Sequence, residues 1–367
     1  TKAGAGLLYL TGANTFSGNT TLSAGTLIVS SIGGGSVATS AFGDGSGILT
    51  VAGGTLVYVG DGETVARKVN VTASAAIDSS GSGPLVFSDL NFPAGVARTL
   101  TLTGTNADGN TLSQPLNDMG AVLSVTKGNA GTWILPAGSN FSGTLSVNSG
   151  FLGIPGSTTS FGGTIAFSNA AIFATNAGGL TIPNAWTIAN GTMAGFTGSN
   201  SITFSGSSGL SSTGNPYQIT NTINGGSLTI NGNWTFPDNS TARNFTFAGT
   251  GNTNFNGIFT TTTNGTSSFG PGGLTVNTSG TLNWTPAISA NTKVLSVTKD
   301  GTITLTVPSA TGLFGGMLVT GTGIPANTRI AWLSGTTVTL TQAATDSNTS
   351  NLTFTPAYTN GTVLNQG

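Results

Sequence analysis

Side chains that could carry out acid–base or nucleophilic chemistry are scarce in this sequence. Its 367 residues include no His and no Cys, with 9 Lys and Arg and 10 Asp and Glu. His is the most common general base and Cys the most common thiol nucleophile, so their absence excludes most hydrolase mechanisms and the usual zinc sites. A glycosidase or polysaccharide lyase that uses carboxylates with Lys or Arg stays open on this ground alone.

One pair of acidic residues is close in sequence. Asp61 and Glu63 are two positions apart, which puts them on the same side of any strand. A single acidic pair in a glycine-containing turn is more often a solvated corner than a catalytic dyad. The sequence therefore predicts that the protein is not an enzyme.

The same acidic residues, with Asp44 and Asp108, lie beside glycines and could suggest calcium ligands. A calcium loop supplies oxygen ligands at alternating positions, and no segment here does so. The glycine-rich runs also lack the Lys-Ser/Thr ending of a phosphate-binding loop. We expect no cofactor and no metal.

The composition predicts how the chain folds. Charged residues make up 5% of it, whereas Gly, Thr, Ser and Asn are abundant and good helix formers are rare. A hydrophobic content of 37% separates it from disordered Gly/Ser-rich chains, which cannot bury enough apolar surface to fold. An all-β fold is the consequence.

A strand–turn–strand unit over residues 7–29 organises the chain. It contains an Asn-Thr-Phe-Ser-Gly turn around Phe16, and related turns return around Phe141 and Phe255. A unit this small cannot bury its own apolar face, so copies must stack on one another. We expect the three phenylalanines to occupy comparable places in successive coils.

The first copy resembles the autotransporter-associated β-strand repeat of large secreted or surface-anchored bacterial proteins. Residues 100–106 and 127–133 are similar to the stretches that precede that repeat. The resemblance extends over residues 1 to about 155 and is weaker from 156 to 290. It implies a right-handed parallel β-helix that is exported to the cell surface, and it implies no catalytic residues.

We predict two domains. Residues 1–290 would form the solenoid, and residues 291–367 a small β-rich, sandwich-like module, because period-2 alternation of apolar and polar residues begins there. Residues 313–325, followed by 337–340, resemble a small β module of phage virion and bacterial surface proteins. The phrase Val-Leu-Ser-Val-Thr-Lys occurs in both regions, at residues 122–127 and 294–299.

Residues 128–237 contain no charged side chain. Coils of a parallel β-helix repeat about every 4.8 Å, so that a charge would meet its like directly above it. Neutral Thr, Ser and Asn can instead form ladders of side-chain hydrogen bonds along the stack. We expect such ladders here, with compositional bias as the alternative explanation.

The five tryptophans follow one another at nearly regular intervals of about two coils each. A sugar-binding protein could use such a row as a stacking platform. A repeat architecture also places one large aromatic residue per unit in its core, and we favour this structural interpretation. The five are Trp133, Trp186, Trp234, Trp284 and Trp332.

The net charge of −1 offers no basic stripe for nucleic acid, and no apolar run is long enough to span a membrane. We predict an extracellular or cell-surface structural protein whose partner is itself, in a filament, sheath or surface layer. The alternative is an adhesin passenger that binds a host surface or a polysaccharide. The chain enters its repeat at residues 7–10 and leaves through residues 352–355, and neither end shows a capping segment, so we expect strand addition between subunits. The predicted self-assembly residues are Leu7, Leu8, Tyr9, Leu10, Thr11 and Gly12.

Overall fold

The computed structural model describes residues 1–33, 39–189, 191–210, 216–236, 245–257, 259–261, 274–284, 292–310, 313, 317–355 and 362–364. All regular structure in these residues is β-strand, which confirms the predicted all-β fold. None of the described residues belongs to a helix that could cross a membrane.

The strands of the described residues follow one another along the chain in this order: β1 (Leu7–Leu10), β2 (Thr20–Leu22), β3 (Thr26–Val29), β4 (Leu49–Val51), β5 (Thr55–Tyr58), β6 (Asp61–Val65), β7 (Val69–Val71), β8 (Ala75–Ser79), β9 (Gly83–Phe87), β10 (Leu90–Asn91), β11 (Arg98–Thr103), β12 (Asn110–Leu112), β13 (Leu123–Lys127), β14 (Thr132–Ile134), β15 (Leu145–Val147), β16 (Gly150–Ile154), β17 (Ile165–Phe167), β18 (Ala170–Ala174), β19 (Leu180–Ile182), β20 (Trp186–Ile188), β21 (Met193–Thr197), β22 (Ile202–Phe204), β23 (Ser208–Leu210), β24 (Tyr217–Asn221), β25 (Ser227–Ile230), β26 (Trp234–Phe236), β27 (Phe245–Gly249), β28 (Asn252–Phe255), β29 (Phe259–Thr261), β30 (Leu274–Thr278), β31 (Leu282–Trp284), β32 (Lys293–Lys299), β33 (Thr304–Thr306), β34 (Leu318–Thr320), β35 (Ile330–Ser334), β36 (Thr337–Leu340), β37 (Thr349–Thr355) and β38 (Thr362–Leu364).

Strands β1 to β31 form a parallel β-solenoid, as predicted. Sheet 1 has 12 strands in the order β1-β3-β5-β8-β11-β13-β15-β17-β20-β23-β26-β29. Sheet 2 has 10 strands in the order β6-β9-β12-β14-β16-β18-β21-β24-β27-β30. The third face is made by two shorter sheets, β2-β4-β7-β10 and β19-β22-β25-β28-β31, which occupy the same place in the coil sequence.

The solenoid core follows from strict alternation within each strand. In β13, Leu123 and Val125 are buried, whereas Ser124 and Thr126 face outward and are half-buried. Every coil places its apolar residues in the same inward positions, so they form one continuous cluster along the stack. Full burial of one such aliphatic side chain contributes about 1.5 to 3 kcal/mol, which no isolated coil could obtain.

Side-chain hydrogen bonds join successive coils on the outer surface of the third face, but each of them has a partner beyond the stretch 128–237 for which ladders are predicted. The side-chain amide of Asn254 donates to Thr229 Oγ1 at 3.3 Å, and that of Asn283 donates to Asn254 Oδ1 at 2.8 Å. A second pair joins Asn256 to Asn231 at 2.8 Å. Neutral amides can repeat at this spacing because each one both donates and accepts a hydrogen bond.

The expectation that Phe16, Phe141 and Phe255 share one environment is wrong. Phe141 is fully buried and its ring lies 5.4 Å from that of Phe161 in the next coil. Phe255 is buried within strand β28, whereas Phe16 is 42% exposed. The turn sequence therefore recurs without fixing the ring position, because burial depends on which side chain the neighbouring coil places against the ring.

Strands β32 to β37 form a separate antiparallel sheet in the order β34-β37-β32-β33-β36-β35. The module that the sequence predicts to be sandwich-like is therefore one six-stranded sheet. A bridge between Leu318 and Arg329 links the two ends of this sheet. This sheet has a hydrophobic cluster of its own, built around residues such as Val297 and Phe354. The predicted boundary at residues 290 and 291 lies outside the described residues.

The solenoid has a strand folded back on it near residue 284. Strand β38 pairs antiparallel with β31, with Leu364 opposite Leu282. Residues 352–355, where we expect an uncapped end, instead belong to β37 and pair with β32 on one side and β34 on the other, while β38 covers the β31 edge of the third face.

Candidate functional surfaces

The acidic pair predicted to be a solvated corner lies in strand β6 instead. The Glu63 carboxylate accepts hydrogen bonds from the backbone N–H of Ile32 at 2.7 Å and of Gly33 at 2.5 Å. The Asp61 carboxylate accepts one from Ser82 Oγ at 2.6 Å. Glu63 therefore holds the chain that follows β3, and its two oxygens are already occupied by backbone donors.

Arg67 fixes the same segment from inside the protein. It is fully buried, and its guanidinium donates to the carbonyl oxygens of Ile32, Phe42 and Gly47 at 3.1, 2.8 and 2.6 Å. Burial lowers the pKa of Arg67, and the charges of Asp44 and Glu63 partly offset this shift. Glu63 and Arg67 therefore both stabilise the segment that follows β3. No group of three or more acidic residues that could hold a metal ion occurs in the described ranges.

Three of the tryptophans are fully buried and cannot serve as a sugar-stacking platform. Trp186 and Trp234 lie in the same inward column of sheet 1, two coils apart, and their rings meet at 4.8 Å. Trp133 lies in sheet 2, and Trp332 is 39% exposed in the antiparallel sheet. The structural interpretation is confirmed for the three buried rings, although they do not form one row; the side chain of Trp284 lies outside the described part.

In two copies of the repeat, a lysine at an equivalent position donates hydrogen bonds to the backbone carbonyl oxygens of nearby bends. The Lys127 ammonium is buried and donates to the carbonyl oxygens of Gly128, Asn129 and Ser149 at 2.6, 2.8 and 2.9 Å. Burial lowers the pKa of Lys127 to about 8. No carboxylate is among these acceptors, so the backbone alone satisfies this charge.

Lys2 repeats this arrangement in the first copy. Its ammonium donates to the carbonyl oxygens of Ala3, Gly4 and Ala24 at 3.4, 2.8 and 3.0 Å. The acceptors stand at the same sequence offsets from Lys2 as those of Lys127 do. We did not identify these two lysines as ligands of the backbone from the sequence. Their signal in the sequence is the Thr-Lys pair near the start of both copies of the repeat.

The predicted self-assembly segment lies at the edge of sheet 1. Strand β1 pairs in parallel with β3 and has no second neighbour among the described strands. Leu7, Leu8 and Tyr9 are 55%, 40% and 63% exposed, whereas Leu10 packs against the core. Thr11 and Gly12 follow the strand and are exposed.

Sheet 1 presents a regular column of short outward side chains. Their register places one residue per coil in a line parallel to the solenoid axis, with neighbours about 4.8 Å apart. All are half-buried and none is charged. This threonine column comprises Thr26, Thr55, Ala76, Thr101, Thr126, Ser146, Ala166, Thr187 and Gly209.

Sheet 2 presents an apolar patch on its outer face. Phe151 is 43% exposed, in a fold where most phenylalanines are fully buried. Ile134, Gly153 and Phe173 stand in one outward column, and Phe151 and Ala171 stand in the next. Ile134, Phe151, Ala171 and Phe173 are named the outer apolar patch below.

Known proteins share sequence similarity with the repeats of this chain. The sequence profile of the passenger-associated-transport-repeat family matches residues 1–29 and 125–154. The chain is also 39% identical over 145 residues to the adhesin BmaC autotransporter of Brucella suis biovar 1. That alignment covers 36% of this chain and 4% of the relative's length. No solved structure gave a significant match.

The two matched stretches are the segments that contain Lys2 and Lys127 with their carbonyl acceptors. They are also the first two copies found in the sequence. Residues 1–29 and 125–154 are therefore similar to passenger-associated-transport repeats, and the predicted resemblance of this chain to autotransporter passenger proteins is confirmed.

Proposed function

We propose that this chain is a segment of an adhesin-type passenger, located at the cell surface or secreted, that makes contacts through the sides of its solenoid. The observation that carries the proposal is the 39% identity to a protein named an autotransporter adhesin. This favours the adhesin alternative over the filament that the sequence suggested first.

The surface of the solenoid supports this proposal physically. The threonine column and the charge-free stretch over residues 128–237 present a regular, neutral surface along many coils. A contact that is weak at one coil can repeat at the next, and linked weak contacts give strong overall binding by raising the effective concentration. Such a rod needs no catalytic group.

Attachment of coated beads tests the adhesin function. Beads that carry the full chain should attach to cultured cells or to a polysaccharide-coated surface more than beads that carry an unrelated β-rich protein of similar size and net charge. Heat-unfolded chain on the beads serves as a matched control, because it keeps the composition and loses the stacked surface. Equal attachment of native and unfolded chain would contradict the proposal.

Self-association through β1 is a second candidate function. The observation that favours it is the exposed edge of β1, with Leu7 and Tyr9 both more than half exposed. An unpaired edge strand can add a strand from another subunit, and edge lysines oppose this. It would make this chain its own partner.

A charged edge tests this second function. The double variant Leu7→Lys/Tyr9→Lys should remove concentration-dependent association in light scattering, whereas the control Phe16→Lys, at another exposed position of the same repeat, should not. Association that is equal in all three proteins would reject β1 as the connector.

A further inference from the structure

The outer apolar patch of sheet 2 is built by glycine as much as by its large side chains. A Cβ atom at Gly153 would lie 2.7 Å from Phe173 Cζ and 2.9 Å from Ile134 Cγ1. Gly153 is outside the set of residues with positive φ, so its backbone does not require glycine. The side chains of Ile134 and Phe173 instead lie over this position from the coils on either side.

A second glycine, Gly195, lies on the outer face of sheet 2 beside this patch. Gly195 follows Phe151 and Ala171 in their outward column, and a Cβ there would lie 2.8 Å from the Ala171 Cβ. Its backbone also has no positive φ. No side chain projects from the sheet at Gly153 or Gly195. The exposed Phe151 ring is therefore next to a flat apolar surface that extends over neighbouring coils.

The electrostatics of the patch restrict its ligand. Strands β14, β16, β18 and β21 all lie within the charge-free stretch over residues 128–237. An acidic polymer or a nucleic acid would need cationic side chains, and these strands offer none. The surrounding outward positions carry hydroxyl groups, with Thr111 and Thr197 in the column of Ile134 and Phe173 and Thr220 next to Gly195.

The size of the patch restricts the ligand further. A stable protein interface buries about 800 Å² on each partner, around an apolar centre of many side chains. The outer apolar patch offers one exposed ring, one half-buried ring and two aliphatic side chains. This is much smaller than such an interface, but it suits a small flat unit with one apolar face and a polar rim.

We propose that the outer apolar patch of sheet 2 binds a neutral polysaccharide. Sugar rings stack their C–H faces on Phe151 and on the Phe173 side chain, and sugar hydroxyl groups donate hydrogen bonds to the threonine oxygens around them, because the hydroxyl groups of Thr111 and Thr220 already donate to the Gly109 carbonyl and to Met193 Sδ. The ligand chain contacts more than one coil, because Phe151 and Phe173 belong to successive coils. This names a ligand class for the adhesin-type function and rests on it for its biological meaning, whereas binding itself is a property of the purified chain.

Affinity electrophoresis of the full chain tests the proposal. Gels that contain dextran or soluble starch, and pull-down with cellulose or chitin, present neutral sugars, and alginate and heparin present anionic ones. We expect retardation by at least one neutral polysaccharide, little change with added salt, and no retardation by the anionic polymers. A complete lack of neutral binding, or salt-sensitive binding to the anionic polymers, would overturn the proposal.

Variants locate the binding. Phe151→Ser and Phe151→Ser/Phe173→Ser should each weaken binding by about tenfold or more, since they remove the stacking surface. Phe16→Ser is the matched control, because Phe16 is as exposed as Phe151, lies far from it in the chain and belongs to no strand of sheet 2. Unchanged binding in the double variant would reject the patch as the site.

Three further measurements separate sugar binding by the patch from loss of stability, from self-association and from the adhesin function. Circular dichroism should show the same unfolding temperature for Phe151→Ser and the unaltered chain within a few degrees, because this side chain faces outward. If Phe151→Ser instead abolishes concentration-dependent self-association and leaves sugar binding intact, the patch is a contact between copies of the chain. Bead attachment that fails while sugar binding persists would reject the adhesin function and leave the patch in place.

Discussion

The hexapeptide Val-Leu-Ser-Val-Thr-Lys forms a strand in two different sheets of this protein. In the solenoid its last five residues form β13, between parallel neighbours β11 and β15. In the antiparallel module it lies in β32, between β33 and β37. The same residues face inward in both, since Val125 and Val297 are buried and Thr126 and Thr298 face outward.

The two copies differ in how their buried lysine is satisfied. Lys127 is bound by backbone carbonyl oxygens alone, whereas Lys299 forms a 2.6 Å salt bridge with Asp346 and donates to the Thr322 carbonyl at 2.5 Å. The identical local sequence therefore determines that the lysine faces inward, and the tertiary neighbours determine which groups accept its hydrogen bonds.

The residues that surround each lysine explain the difference. In the solenoid, the positions paired with Lys127 in the neighbouring coils are Leu102 and Val147, and the acceptors of its ammonium are backbone carbonyl oxygens of the bends beside it. In the antiparallel module, Asp346 lies beside Lys299 and supplies a carboxylate.

The largest expected effect comes from tryptophans in the two regions. Trp234→Ala should reduce the free energy of unfolding by about 3 to 5 kcal/mol, because Trp234 is fully buried and packs on Trp186 and Phe245. Trp332→Ala, at a 39% exposed position of β35, should cost about 1 kcal/mol or less. Chemical denaturation followed by circular dichroism measures both, and equal losses would break the contrast between the two regions.

Removal of the paired lysine should have the next largest effect. Lys299→Met leaves the Asp346 carboxylate without its cation and should destabilise the module by about 3 kcal/mol. The double variant Lys299→Met/Asp346→Asn should recover much of this loss, because no unpaired charge is left. Absence of recovery would mean that packing of the lysine stem, and not the ion pair, stabilises this site.

Removal of the lysine bound by carbonyls should have a smaller effect. Lys127→Met eliminates the cost of burying an ammonium, but it also leaves three carbonyl oxygens without their donor. We expect a net loss of about 1 to 2 kcal/mol in denaturant unfolding. A loss as large as that of Lys299→Met would show that carbonyl oxygens hold this charge as strongly as a carboxylate does.

The pH dependence of stability sharpens the same comparison. The pKa of Lys127 is about 8 in the folded protein, below the ordinary lysine value of 10.5 that applies to the unfolded chain. Between these values the unfolded chain binds the proton and the folded chain does not, so stability should rise with pH. The gain is at most about 3 kcal/mol, since one pKa unit corresponds to 1.36 kcal/mol and the carbonyl acceptors favour the charged form.

Lys127→Met is the control for this experiment. It should remove the rise between pH 8 and 10, whereas Lys299→Met should retain it. Tyr58, whose pKa is raised by burial, acts in the opposite direction above pH about 10, and the difference between the two variants cancels its contribution. A parallel pH profile for Lys127→Met and the unaltered chain would disprove the assignment.

The sequence by itself determined the fold class and the stacking. The near absence of charge and of helix formers, the recurring turns and the alternation of apolar residues predicted an all-β chain of stacked units followed by a different β region, and the family resemblance added that the solenoid is parallel. Hydrogen bonds between neutral side chains of successive coils also followed, because they depend on neutral residue types and on the fixed distance between coils, but their place beyond the stretch 128–237 did not. These features are local or repeat in every coil, so a pattern in one dimension records them.

The tertiary structure alone decided which residues are brought together across coils. Coil lengths vary, so the regular tryptophan spacing did not reveal that Trp133 belongs to sheet 2 and Trp186 to sheet 1. The turn around Phe16 did not reveal its exposure, and Gly153 did not reveal the side chains that lie over it. Each of these properties depends on the residue that the next coil places opposite, and this register is set by the lengths of the intervening turns.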